Sequence, residues 1–336
     1  MESTELQQQF FQHLKTRIPA HVSLVDEIAD LLGISNDSAY RRIRGDKQIS
    51  LQEVQLICKH FQVSLDQLMG LDSNSITFYG NLVDKETFDF EKYLTDMLHQ
   101  FEMINSLSEK TMYYDAKDIP PFRHFQCLEL AAFKYYFWMR TIIKDSIYTT
   151  KPFEEAKDYL LEHLHHIGKK IILNYTKIPS VELWNADTIN STLQQIEFYR
   201  GSGNFLKEET SQMLFDQLMD LINHIEKEAA TGEKFLMGSE PTGNHDNYKL
   251  FINEVMMGHN TTLIDTGTSR FVFINHNVLN FMITYDKKFC DYTFDAQHNL
   301  MSKSTMISTV SEKERGRFFK MIRDKITRRK NGEANY

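Results

Sequence analysis

Four positive side chains crowd one seven-residue stretch: Arg41, Arg42, Arg44 and Lys47. Charges packed this closely suit a polyanion, because phosphates need positive charge where they sit rather than in the protein's total. Just ahead of them, Asn36, Asp37, Ser38 and Tyr40 supply donors, acceptors and an aromatic ring of the kind that can read base edges, sugars or a thymine methyl. Other candidates for chemistry are thinner. His163 and His166, three apart, would share a helix face and could share a metal, but no Asp, Glu or Cys pattern completes a ligand set. Gly201-Ser202-Gly203-Asn204 has the composition of an anion-holding loop. It lacks the preceding strand and the Lys-Ser/Thr of a phosphate loop, so a turn between helices is the plainer reading. There is no Gly-x-Ser-x-Gly, no His-Glu-x-x-His and no dinucleotide fingerprint. The expectation is a protein that is not an enzyme and carries no cofactor or metal.

The chain that must position these residues has 336 of them. At ~150 residues per domain that means two domains or three. Lys and Arg number 38 against 46 Asp and Glu, a net charge of −8. That total hides an asymmetry. Residues 1–72 are net −3, residues 311–336 are net +5, and the body between them is net −10. Cys58, Cys127 and Cys290 are far apart with no Cys-x-x-Cys pair, which disfavours a zinc ribbon or a disulfide framework and fits a reducing cytoplasm. The start, Met1-Glu2-Ser3-Thr4-Glu5, is acidic and unlike a signal peptide. The longest apolar stretch, 128–143, is interrupted by Glu129, Lys134 and Arg140 and is too short for a bilayer, so no membrane partner is expected.

Residues 5–70 read as five short helices. The first runs from Glu5 to Arg17. Leu24, Ile28, Leu31 and Leu32 have helical spacing, with Ser23 as cap and Gly33 as stop. Ser35 caps the next helix, 36–44, which ends at Gly45; Ala39 and Ile43 turn inward. Asn36, Asp37, Ser38, Tyr40, Arg41 and Arg44 are left outside. Ser50 and Glu53 form a capping box for a helix with Leu51, Val54, Ile57, Cys58 and Phe61 inward, and Ser64 opens a last one, Leu65 to Met69.

Two helices joined by a tight Gly turn describe a helix-turn-helix. The order and spacing resemble the lambda-repressor/Cro-like (XRE) family. The carriers are Ile28-Ala29-x-x-Leu32-Gly33-Ile34-Ser35, Tyr40-Arg41-x-Ile43-x-x-Gly45, Ile49-Ser50-Leu51 with Ile57, and Phe61-x-Val63-Ser64-Leu65-x-x-Leu68. The resemblance covers about a fifth of the chain. It implies that helix 36–44 lies in a major groove of an operator duplex. Asn36, Asp37, Ser38 and Arg41 would then face bases, with Ser35 at the helix start, Tyr40 beside them, and Arg44 and Lys47 near a phosphate. Where the family often carries a phosphate-clamping Gln, this chain has Val25, so Ser23 or a backbone N–H would take that contact. A homodimer on a two-fold site is the implied assembly.

The remainder reads as a linker over 73–83, a helical dimerisation or sensor region over 84–232, and over 233–336 a small antiparallel sheet with a basic C-terminal helix. A helix is expected from Asp84 to Leu107, whose Phe90, Leu94, Met97, Phe101 and Ile104 would form either core or a dimer seam. A densely aromatic helix, Phe122 to Lys144, would be buried all round or would wall a ligand pocket with Glu129, Lys134, Trp138 and Arg140. Further helices are expected at 152–174, 187–199 and 207–230. Residues 111–116 are short and β-compatible, and strand-like runs occur at 249–252, 261–264, 270–274, 281–284 and 291–294. Ser311 and Glu314 suggest a capping box for the last helix, whose basic face would be solvated, meet phosphate, or answer the acidic body.

The overall expectation is a mainly α protein with a smaller antiparallel β part: a five-helix lambda-repressor-like domain followed by a large α+β region. Its function would be transcriptional regulation from the cytoplasm as a homodimer, with a small molecule or a protein as possible effector. Two other readings stand beside it. One is a protein-interaction module, such as an antitoxin or scaffold, that keeps the helix-turn-helix. The other is a small-molecule receptor domain fused to it.

Overall fold

The computed structural model describes residues 3–15, 23–61, 63, 65, 76–80, 82–83, 86–254, 258 and 260–333. The chain divides into two compact units, Met1–Thr77 and Phe78–Tyr336.

The first unit contains α1 (Ser3–Lys15), α2 (Leu24–Leu32), α3 (Asn36–Arg44) and α4 (Leu51–His60). Each boundary follows from local chemistry. Ser23, Ser35 and Ser50 accept from the backbone N–H three residues on, at 3.4, 3.3 and 3.2 Å, and so cap α2, α3 and α4. Gly33 and Gly45 end α2 and α3 at φ +62° and +82°, where an L side chain would be strained. Phe10, Phe11, Leu14, Leu24, Ile28, Ala29, Ala39 and Ile57 form the core. Leu51, expected inward, is exposed, because the first turn of α4 precedes that helix's contact with the core. Of the expected fifth helix, residues 66–69 lie outside the described residues, as do residues 73–75 and 81 of the expected linker.

The second unit is built on a seven-stranded mixed sheet. Its strands are β1 (Thr111–Asp115), β2 (Ser180–Trp184), β3 (Tyr248–Ile252), β4 (Thr261–Asp265), β5 (Arg270–His276), β6 (Asn280–Thr284) and β7 (Thr305–Met306). The order is β6-β5-β4-β1-β2-β3-β7, with β1, β2 and β3 parallel and the other pairs antiparallel. The helices are α5 (Phe90–Ser106), α6 (Leu128–Phe137), α7 (Ser146–Thr150), α8 (Phe153–Thr176), α9 (Asn190–Gly201), α10 (Glu208–Thr231), α11 (Lys287–Ser302) and α12 (Glu312–Lys330). Alternation sorts the two faces of the sheet. Met112, Tyr114, Trp184, Leu250, Ile264, Phe271 and Phe273 join the large helical core. Tyr113, Leu263 and Val272 pack on Cys290, Phe289 and Phe294 of α11.

Several expectations change here. The α+β architecture is present, but the sheet is mixed: β1 falls on the β-compatible run at 111–116 and β2 on a stretch with no expected strand, both inside the span 84–232. The expected division between 84–232 and 233–336 therefore cuts across one sheet. The run 291–294 is helical: Asp286 caps α11, accepting from Phe289 N at 2.8 Å, and Cys290, Thr293 and Gln297 share its buried face. The helix expected from Asp84 starts at Phe90, where Asp89 accepts from Lys92 N at 3.0 Å. Phe90, Leu94, Leu98, Phe101 and Ile104 are buried in the chain's own core, with Met97 partly buried against it, so the residues expected as core or seam are core. The aromatic segment 122–144 is three pieces: a 3-10 turn at Pro121–Gln126, α6, and a π-helical turn at Trp138–Ile143 ended by Lys144 at φ +57°. Every residue from Leu130 to Tyr136 is buried. Ser311 forms no capping box; it sits at φ +54° with no side-chain cap.

The basic face of α12 answers the acidic body. Its apolar side, Phe318, Phe319, Ile322 and Ile326, enters the core. Arg323 pairs with Glu226, Arg329 with Glu197, Lys330 with Asp216, and Lys325 with Asp187 at 3.4 Å.

Within the core lies a fully buried charged cluster. Arg123, from the 3-10 turn, is fully buried. It donates to Glu182 Oε1 of β2 at 3.1 and 3.0 Å, to Glu228 of α10 at 2.6 Å and to the Tyr175 hydroxyl of α8 at 3.1 Å. Glu182 also accepts from the Trp184 indole at 2.8 Å, the Tyr248 hydroxyl at 3.0 Å and the Tyr175 hydroxyl. Burial works against the charge on Arg123, yet Glu182 foremost holds its pKa well above the ordinary arginine value. The same pairing holds the Glu228 carboxyl below the glutamate range despite its burial. Removing one partner of such a pair leaves an uncompensated charge in a low-dielectric interior. Glu182→Gln is expected to lower unfolding stability by ~3–5 kcal/mol. Urea unfolding followed by circular dichroism measures it, and a loss under ~1 kcal/mol would contradict this reading.

Candidate nucleic-acid interface

Helix α3 turns one side outward. Asn36, Asp37, Tyr40, Arg41 and Arg44 are exposed along it, and Lys47 is exposed on the turn that follows. The opposite side holds Ala39, fully buried, and Ile43, packed against the unit's core. The Arg44 guanidinium lies 5.7 Å from the Tyr40 ring centroid, and its Nε is 3.8 Å from Asp46. Both groups are exposed, so these contacts hold Arg44 weakly and leave it available. Asp37 lies in the first turn of α3, where the helix dipole favours an acid.

Four of the expected contact residues also serve the fold. Ser23 and Ser35 cap α2 and α3. Asn36 donates to Asp26 Oδ1 of α2 at 2.7 Å, which ties the start of α3 to the preceding helix. Ser38 is half-buried, and its hydroxyl accepts from Arg42 at 3.2 Å instead of pointing outward.

Arg42 departs most from the sequence reading. It is one of the four clustered positive residues, yet it is only 6% exposed. Its Nη2 and Nε donate to Glu53 Oε1 at 2.7 and 3.1 Å, and its Nη1 donates to the Ser38 carbonyl at 3.2 Å. Glu53 Oε2 accepts from Ser50 N at 2.8 Å, completing the α4 capping box. Burial pushes the Glu53 carboxyl upward, but Arg42 and Ser50 hold it below the usual glutamate range. The outward charge is therefore Arg41, Arg44 and Lys47, while Arg42 fastens α3 to α4. A second residue that sequence reasoning missed is Gln7 of α1, which is 9% exposed. It donates to the Arg42 and Lys47 carbonyls at 2.7 and 2.8 Å and accepts from Ile49 N at 3.0 Å. No local motif marks it; only the fold brings residue 7 to the turn at 45–50.

Residues 8–85 match the BetR domain family, a helix-turn-helix-type DNA-binding domain found in regulators. This segment of the chain is similar to those domains. No curated protein and no solved structure matches the chain. Among the described residues, no helix is long and apolar enough to cross a membrane.

The four residues expected to line a ligand pocket each have their own intramolecular partners. Glu129 accepts from Gln217. Trp138 packs edge-on against Phe90 at 5.9 Å. Arg140 donates to the Tyr148 and Lys151 carbonyls. Lys134 is buried and donates to Thr192 Oγ1 at 2.8 Å and Gln195 Oε1 at 2.7 Å. The Gly201–Asn204 segment closes α9: Ser202 N and Asn204 N donate to the Phe198 and Tyr199 carbonyls at 2.9 and 3.1 Å. His163 Nδ1 sits 2.9 Å from the Tyr159 carbonyl, and its ring stacks on Tyr159. Among the described residues, no group of three His, Cys, Asp or Glu could hold a metal ion.

Burial pushes the Lys134 ammonium down to about 7, with Asp118 partly opposing. The unfolded chain holds that proton up to ~10.4. From pH 7 to ~10.4 the unfolded state binds more protons than the folded one, so the native protein gains stability as pH rises through that window. Lys134→Met removes this dependence. It is expected to stabilise by ~1–4 kcal/mol at pH 7 and by progressively less toward pH 10. Urea midpoints across that range measure it, and a pH-independent difference would contradict it.

Proposed function

We propose that the chain is a sequence-specific DNA-binding transcriptional regulator of the lambda-repressor/Cro-like kind, working in the cytoplasm without a catalytic role. The observation that carries this reading is the outward side of α3. A capped helix on a fixed core presents Asn36, Asp37, Tyr40, Arg41 and Arg44, followed by Lys47 on an exposed turn. That is the placement a major-groove helix needs: base-reading groups early and along its front, positive charge where a phosphate passes. The match of residues 8–85 to a helix-turn-helix DNA-binding domain family supports it independently.

One such helix reads few base pairs, and paired modules on a two-fold site supply the remaining specificity. In this reading the chain works as a homodimer, and the larger unit provides dimerisation or senses an effector. Because the Phe90–Ile104 face of α5 packs inside the chain's own core, that face is not the dimer surface.

Selection of bound duplexes from a random library by the full chain tests the proposal. It yields the operator and, through palindromic spacing, the assembly. On the selected site Arg41→Ala is expected to cost ~1–3 kcal/mol and to relax sequence choice at one position. Lys47→Ala is expected to weaken all duplexes alike and to lower the salt slope by about one. Failure to bind any duplex at low salt would sink the reading and favour a protein-interaction module.

A further inference from the structure

The turn that follows α3 is held from two sides. On one side is Gln7 of α1, whose three side-chain hydrogen bonds all go to backbone groups of residues 42, 47 and 49. These groups bracket the turn: the carbonyl near the end of α3, the carbonyl of Lys47 itself, and the amide just before α4. Gln8 adds a bond to the Arg44 carbonyl at 2.6 Å. On the other side is Glu53, which ties the Arg42 guanidinium with one oxygen and the Ser50 amide with the other. Gly45 lies between them at φ +82°, and a Cβ there would sit 2.7 Å from Thr4 Cγ2 of α1. The approach of α1 to the turn is therefore close as well as polar.

We propose that Gln7 and Glu53 are positioning residues for DNA reading. They fix the turn bearing Lys47, and the end of α3 bearing Arg44, at the height and angle a duplex backbone requires. Neither residue touches DNA; each acts through the backbone or side chain it holds. The physical reason is that the backbone beyond the helix has lost the helical ladder: the Arg42 carbonyl still accepts from Gly45 N at 3.0 Å, but the Lys47 carbonyl and the Ile49 amide lie past the end of α3 and meet Gln7. Without Gln7 these two groups must turn to water, and the turn follows them. Glu53 performs a second task. It keeps Arg42 on the inner side of α3, so the domain offers phosphate three positive side chains here instead of four. Releasing a fourth would raise attraction to every sequence alike. This inference rests on the DNA-reading role proposed above.

The test uses the full chain, the duplex selected by the wild-type protein, and a scrambled duplex of equal length and composition. The readout is the ratio of the two affinities by fluorescence anisotropy. Partial unfolding lowers both affinities by the same factor and leaves the ratio unchanged, so a merely structural role does not move it. Gln7→Met, which keeps the side-chain length and removes all three bonds, is expected to lower the ratio about tenfold, chiefly through loss of operator binding. Glu53→Gln is expected to lower it through a gain in binding to scrambled DNA and a steeper salt slope. In a double-mutant cycle, Lys47→Ala is expected to cost less in the Gln7→Met background than in the wild type. An unchanged ratio in both variants overturns the proposal. If Gln7→Met fails to fold, the Glu53→Gln ratio decides alone. A wild-type chain that does not distinguish the two duplexes refutes the DNA reading itself, and the proposal with it; that arm is read separately.

Discussion

A guanidinium removed from water must bring its carboxylates with it, and each unit of this protein is organised around one such obligation. In the larger unit Arg123 draws together a 3-10 turn, the interior strand β2 and helix α10, with Tyr175 and Tyr248 filling the remaining positions. Their geometry is mutually dependent, because any element that withdraws leaves a charge stranded in a low dielectric. The parallel strands and the long helices over them are thus joined by direction-specific bonds as well as by apolar contact. In the smaller unit the Arg42–Glu53 pair does the same on a lesser scale, joining α3 to α4 at a half-buried site.

The same logic accounts for the distribution of charge. The acidic body and the basic C-terminal helix are complementary parts of one unit. Arg323, Lys325, Arg329 and Lys330 meet acids of α9, α10 and the turn before α9, so four of the nine positive side chains of α12 are already answered inside the molecule. Such pairs add little individually where they are exposed. What they do is orient a helix whose apolar side, from Phe318 to Ile326, supplies most of the docking. Positive charge left facing outward on α3 and the turn after it comes from Arg41, Arg44 and Lys47, a small number against a net charge of −8 for the chain. A regulator charged in this way depends on accurate placement of few contacts rather than on general attraction to polyanions.

Much of the first unit was legible because its signals are local. Serine caps, glycine stops and the spacing of Leu24, Ile28, Ala39 and Ile57 act within a turn or two of the chain, and the structure uses them as read. The second unit was legible only in part. Its long helices and β3 to β6 carried period and propensity. β2 did not: Ser-Val-Glu-Leu-Trp places a fully buried glutamate mid-strand, a pattern that is unfavourable until Arg123 arrives from 59 residues away. Residues 291–294 failed in the opposite sense, since the β-prone Tyr-Thr-Phe run obeys a cap at Asp286 and the packing of Cys290 against the sheet.

The sequence by itself determined where the helices of the smaller unit begin and end, and which side of α3 turns outward, because capping and periodicity are written in neighbouring residues. Tertiary structure alone decided what the charged residues do. Arg41 and Arg42 are adjacent and chemically identical, yet one is exposed and the other is buried against Glu53. Nothing local distinguishes Gln7 from Gln8 or Gln9, but only Gln7 reaches the backbone on both sides of Lys47. The energy of a charge or an amide depends on which partners and how little water surround it, and those are properties of the folded whole.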